Sequence, residues 1–207
     1  MSDNPMITTD TSTDAGNQKK QKKFRITMNA PVTLVFAGAC LIATLLISVF
    51  DEPMLQFFSC YRASLASPLT YIRFFTHALG HSGWAHFIGN MAYILLLGPL
   101  LEEKYGSGCM VEIIGLTAVA TGLINFICFP DVAILGASGV VFAMILLSSI
   151  TSFKKGEIPI TFILVAVIYI GGQIYEGIFL NDNISNMSHI IGGIVGAFCG
   201  FLLNNKE

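Results

Sequence analysis

Four polar residues stand in stretches of the chain that are otherwise apolar: His86, Asn90, Ser138 and His189. A serine hydroxyl is a weak nucleophile until a neighbouring imidazole takes its proton, so Ser138 and His189 together would be a nucleophile and its general base. Ser138 stands within the first turn of an apolar run that starts near Gly136, at a predicted helix N-terminus where backbone N–H groups lack partners. Those donors suit a developing oxyanion, and the Asn90 amide and the His86 ring are the right types to complete such a site. His86 and Asn90 are spaced i, i+4 and share one helical face. The chemistry on offer is hydrolysis by an activated serine. Each residue alone has a plainer account, since a serine in a membrane helix commonly bonds its own backbone. What joins the four is where their helices place them.

The chain of 207 residues is 54% hydrophobic and only 12% charged, with a mean hydropathy of +0.70. A soluble domain typically carries about twice that charge. The composition excludes an ordinary soluble enzyme and points to a polytopic membrane protein. Six apolar runs are long enough to be spans, at about 31–50, 86–105, 109–129, 136–153, 158–180 and 187–203. Residues 1–28 read as a disordered polar tail ending in the basic cluster Lys19, Lys20, Lys22, Lys23 and Arg25. That cluster abuts the first apolar run, so it reads as a topology signal and not as a nucleic-acid patch. The run is too long for a secretory signal core and no small-residue cleavage site follows it.

With the N-terminus inside, nine of the eleven Lys and Arg fall on the cytoplasmic side: these five with Lys104, Lys154, Lys155 and Lys206. Only Arg62 and Arg73 fall outside, in the loop 51–85. The bias predicts six spans with both termini in the cytoplasm. The outer loop is rich in apolar residues, including Leu55, Phe57, Phe58, Leu69, Phe74 and Phe75, which predicts short amphipathic helices lying partly in the interface.

In this topology the second, fourth and sixth spans all present their polar residues near the outer ends. The sixth span adds Gly192, Gly196 and Gly200, a stripe that lets two membrane helices approach closely. His189 precedes Gly192 by three positions and lies on that face, so it points toward a partner helix. The natural partner is the fourth span, which begins Gly136-Ala137-Ser138-Gly139.

Other polar residues carry weaker signals. Gln173 and Glu176 sit near the outer end of the fifth span and read either as facing an aqueous cavity or as capping a bundle contact. His77, His81 and His86 cross a loop-to-helix boundary, so their spacing does not predict a metal site. Cys40, Cys60, Cys109, Cys128 and Cys199 lack metal-ligand spacing and read as small core residues, with pairing of Cys60 and Cys128 left open. A transporter would show a repeat or charges along a pore, and neither is present.

In order and spacing these residues resemble the rhomboid family of intramembrane serine proteases, over about residues 30–204. The segment Arg73-Phe74-Phe75-Thr76-His77-Ala78-Leu79, then His81, His86 and Asn90, is similar to the family's loop and second-helix motif. Glu102 followed by Gly106 and Ser107 is similar to the end of that helix, Gly136-Ala137-Ser138-Gly139 to its nucleophile motif, and His189 with Gly192 and Gly196 to its HxxGxxxG motif. Three positions depart: Ile72 stands where Trp is common, Phe142 where Tyr is common, and Lys104 where Arg is common. Phe142 is able to stack on His189 but has no hydroxyl to donate.

The resemblance implies an all-α, six-transmembrane-helix bundle with a long, partly interfacial loop between helices 1 and 2. The protease domain would span residues 29–204, followed by a short tail at 205–207. It implies a Ser138–His189 dyad without a third carboxylate, and an oxyanion and substrate-binding layer of His86, Asn90 and Gly136 with the Ser138 backbone N–H. Gly192, Gly196 and Phe142 would support the dyad by packing. Neither cofactor nor metal is expected. The implied partners are membrane proteins cut near the outer face after lateral entry beside the fifth helix. A prokaryotic inner membrane is the expected location, and an inactive client-binding relative is the alternative.

Overall fold

The computed structural model describes residues 28–151, 157–179 and 183–204. The polar tail, Lys154, Lys155, Asp182, Lys206 and the side chain of Glu176 lie outside the described part. Within it the chain forms eight helices: α1 (Pro31–Phe50), α2 (Glu52–Phe57), α3 (Pro68–Thr76), α4 (Trp84–Tyr105), α5 (Ser107–Cys128), α6 (Ser138–Ser149), α7 (Ile160–Phe179) and α8 (Asn183–Asn204). No strand occurs among the described residues, and one isolated bridge joins Cys60 to Ile134. The loop expected between the first two spans contains α2 and α3.

Four helices are long and apolar enough to cross a bilayer: α1, α4, α5 and, over Asn186–Asn204, α8. The fourth predicted run, 136–153, is longer than the helix it becomes. At about 1.5 Å per residue, the 12 residues of α6 reach about 18 Å, against a hydrocarbon core of about 30 Å. It starts at Ser138 because Gly136 has a φ of +131°, outside the helical region. It ends at Ser149 because side-chain oxygens turn back on the last carbonyls: Ser148 Oγ donates to Ile145 O and Ser149 Oγ to Leu146 O. Asn204 Nδ2 then reaches from α8 to cap Ile150 O at 3.0 Å, while Lys104 Nζ donates to Thr151 O.

Helix α6 is the centre of the bundle. Val140, Val141, Ala143, Met144, Ile145, Leu146 and Leu147 are all buried on it, the mark of a helix enclosed on every side. It packs on α4, α5 and α7, and most extensively on α8. The other helices leave large apolar side chains exposed, among them Val35, Ile42, Ile88, Leu96, Val167 and Ile168. A surface of that kind fits lipid and not water.

One buried carboxylate anchors α1. Glu102, near the end of α4, accepts from Val32 N and Thr33 N at 2.9 Å, Thr33 Oγ1 at 2.8 Å and Ser107 Oγ at 2.7 Å. It caps α1, whose own N-cap residue Ala30 has no side-chain acceptor, and places a negative charge at the positive end of the helix dipole. Replacing Glu102 with Ala leaves the Val32 and Thr33 N–H groups without acceptors. The expected cost is about 2–4 kcal/mol, read as a fall in the thermal midpoint of the purified protein, with Glu102→Gln falling in between. An unchanged midpoint for Glu102→Ala would contradict this anchoring role.

Candidate active site

Ser138 is the first residue of α6, with Ala137 as its N-cap. The loop that delivers it is held from several sides. Gly136 N donates to His77 O at 2.8 Å, Ile134 pairs with Cys60, and Asn125 Nδ2 donates to Cys60 O and Val132 O. Gly136 itself admits no side chain. Its positive φ is strained for any other residue, and a Cβ there would lie 2.8 Å from His86 Cε1, 2.9 Å from His86 Nε2 and 3.8 Å from Ser138 Oγ. His86 and Ser138 thus flank one point.

His189 reaches the same place from α8. The glycine stripe brings the α6 and α8 backbones together: a Cβ on Gly192 would lie 2.0 Å from Gly139 O, and one on Gly196 2.1 Å from Ala143 O. At the level of the candidate dyad, a Cβ on Gly139 would stand 3.4 Å from Ser188 O. The residues beside Ser138 and beside His189 therefore meet backbone to backbone. Phe142 stacks on the His189 ring, with centroids 4.3 Å apart and planes 3° from parallel. The other ring nitrogen available to a partner, Nδ1, donates to Gln173 Oε1 of α7.

Ser138, His189, His86 and Asn90 line one cavity of about 490 Å³, together with Tyr93, Phe142, Tyr169 and Gln173. Its walls come from α4, α6, α7 and α8, and no Asp, Glu, Lys or Arg is among the described residues lining it. Asn90 is 7% exposed, and its Nδ2 has no hydrogen-bond partner. An unpaired buried amide costs free energy unless something occupies it. Ser82 Oγ lies 3.2 Å from His86 Nδ1, which leaves Nε2 toward Gly136.

On the far side of Ser138 lies a smaller recess of about 100 Å³, lined by His77, Thr121, Gly136 and Ser188 among others. His77 Nδ1 donates to Arg73 O at 3.0 Å and its Nε2 contacts Thr121 Oγ1 at 3.2 Å, so both ring nitrogens are engaged by α3 and α5. The His81 ring stands edge-on to His86 with centroids 5.1 Å apart, and Nδ1 donates to Leu79 O. Burial holds both loop histidines at a pKa of about 4, with the neighbouring His86 adding to the effect on His81. Both are neutral scaffolding at physiological pH. The five cysteines are free thiols: Cys60 is buried with its thiol toward Gly122 O, whereas Cys128 is exposed.

Spacing alone does not connect Gln173 with His189, which are on different helices, nor His81 with the back of His86. The only sequence signal for Gln173 is its polarity within an apolar span.

Comparison with known proteins adds an independent line. Residues 68–206 match the model of the Rhomboid domain. The chain is 28% identical over 193 residues to Rhomboid-related protein 2 of Mus musculus, covering 83% of this chain and 63% of that protein. It is 28% identical over 140 residues to Rhomboid-related protein 1 of Caenorhabditis elegans, covering 63% of this chain and 39% of the relative. Against Rhomboid protease GlpG of Haemophilus influenzae the identity is 23% over 175 residues, covering 83% and 90%. The chain thus spans less than two thirds of the two rhomboid-related proteins it matches.

Proposed function

The chain belongs to the rhomboid family and is an integral membrane protein, and from that premise we propose that it is an intramembrane serine endopeptidase. One observation carries the reading: a single cavity between helices holds Ser138, His189 and a buried Asn90 amide whose Nδ2 donates to no described residue.

Ser138 Oγ attacks the scissile carbonyl while His189 Nε2 takes the hydroxyl proton. The carbonyl oxygen becomes an oxyanion, met by Asn90 Nδ2–H, by His86 in the tautomer protonated on Nε2, and by the Ser138 backbone N–H at the start of α6. One such donor is typically worth about 10²–10³ in turnover. His189 then returns the proton to the leaving amine, and the C–N bond breaks to leave an acyl-Ser138. Water attacks the ester, His189 again accepts a proton, and Ser138 regains it as the acid product departs. The recess beside His77 and Thr121 is polar and large enough for a few waters, and it adjoins Ser138 from behind.

The substrate is a membrane-spanning segment of another protein. The cavity draws its sides from α4 and α7, so a segment reaches Ser138 laterally between them. Helices α1, α4, α5 and α8, with α6 and α7, make six crossings, the 12-residue α6 a short one shielded at the centre, with both termini cytoplasmic and the cut near the outer face. The positive-inside charge pattern supports that orientation, and a prokaryotic inner membrane is the location it fits.

Cleavage of a helical reporter by wild type and Ser138→Ala in proteoliposomes tests the proposal. Processing by the wild type alone is expected. Equal processing by both would sink it.

A further inference from the structure

A polar contact in the cavity involves the base itself and is not used by the oxyanion donors. His189 Nδ1 lies 2.5 Å from Oε1 of Gln173, a residue on α7 and not on either of the helices that carry the dyad. A carboxamide oxygen only accepts, so the ring nitrogen in this pair carries the hydrogen. We propose that Gln173 is a positioning residue for His189, fixing the tautomer in which Nε2 presents its lone pair to Ser138. This rests on the serine endopeptidase reading above.

An imidazole that acts as a base needs three things fixed. Its ring plane is fixed by Phe142, stacked at 4.3 Å and 3°. Stacking leaves rotation within that plane free, however, and it does not choose a tautomer. A directional acceptor at Nδ1 supplies both, in the way that a hydrogen-bonded orienter does for any histidine base or ligand. The third requirement is that the resulting imidazolium be tolerated. No carboxylate is among the described residues that line the cavity, and the titratable ones beside His189 are His86, Tyr93 and Tyr169. Of the elements packed on α8, α5 brings Glu112 and Cys109 only to the end beside Cys199 and Leu203, remote from His189 along the helix. His77 lines the recess on the other side of Ser138. The Gln173 dipole, with its oxygen toward Nδ1, is therefore the nearest described group whose polarity favours the charged ring. Phe142, lacking a hydroxyl, cannot share this task.

The arrangement also links two parts of the bundle. Gln173 belongs to α7, which flanks the side of the cavity where a substrate segment enters, whereas His189 is locked to α6 by the glycine contacts. The base is thus oriented from the entry side.

The test compares Gln173→Met, which keeps the length of the side chain but loses the acceptor, with Gln173→Glu, which keeps an acceptor oxygen at the same reach. Gln173→Met is expected to lower kcat for reporter cleavage, and the rate of fluorophosphonate labelling at Ser138, by about tenfold, the worth of one neutral hydrogen bond. KM and the thermal midpoint are expected to stay near wild type. Gln173→Glu is expected to recover labelling to within about threefold of wild type, a rescue that a side chain filling space alone would not require. Labelling of Gln173→Met at the wild-type rate, or of Gln173→Glu no faster than Gln173→Met, would overturn the assignment. Failure of the wild type to label at Ser138 would instead overturn the endopeptidase reading itself.

Discussion

Replacing His189 with alanine is expected to abolish labelling of Ser138 by a fluorophosphonate, lowering its rate by roughly 10⁴-fold or more. The effect is large because no other described residue in the cavity is placed to take the hydroxyl proton. His86 is the other imidazole there, but it lies on the opposite side of Gly136 and approaches it through Nε2, the atom assigned to the oxyanion. No Asp or Glu is among the described residues that line the cavity. The start of α6 stabilises the product of attack and does not activate the attacker, so it cannot compensate for a missing base. The measurement is the labelling rate of purified wild type, Ser138→Ala and His189→Ala at equal probe concentration. The double variant should lose no more than either single one, since residues acting as a unit are not additive. Labelling of His189→Ala at close to the wild-type rate would mean that Ser138 has another base and that the dyad is wrong.

The apolar pattern made the scaffold readable. The run 31–50 and helix α1 coincide because Pro31 starts the helix and Asp51, with φ of 50°, ends it. Periodicity cannot see why α6 is short. That depends on hydroxyls folding back on carbonyls and on Asn204 arriving from a helix 54 positions away. The glycine stripe was visible, because only glycine permits the contacts at Gly192 and Gly196, and it marked the face of α8 that carries His189. The third helix at the site was not. Gln173 meets His189 through tertiary packing, and a polar residue in an apolar span is equally suited to a water-filled cavity. Glu102 is similar: its place in a motif marks it, but its four bonds to α1 and Ser107 become visible only once the helices are assembled.

The stripe has a consequence for the chemistry, because it sets how far His189 stands from Ser138. Gly192→Val is expected to lower reporter cleavage and Ser138 labelling by more than about 10²-fold, the scale of loss for a displacement of about 1 Å in an oriented pair. A Cβ at position 192 would lie 2.0 Å from Gly139 O, 2.7 Å from Gly139 C and 2.9 Å from Gly139 Cα. All three are backbone atoms, so no side chain can rotate aside. The helices must part, and Gly192 is less than one turn from His189 while Gly139 adjoins Ser138. Insertion into the membrane should survive, since Val is as apolar as the span requires. Gly171→Ala supplies the control: a Cβ there meets nothing within 4 Å, and Gly171 does not line the cavity. That variant should cleave at close to the wild-type rate. Activity retained in Gly192→Val would show that the dyad tolerates separation of α6 and α8, and the close approach would then be packing alone. Activity lost there and kept in Gly171→Ala places the requirement on the distance between two helices and not on glycine content.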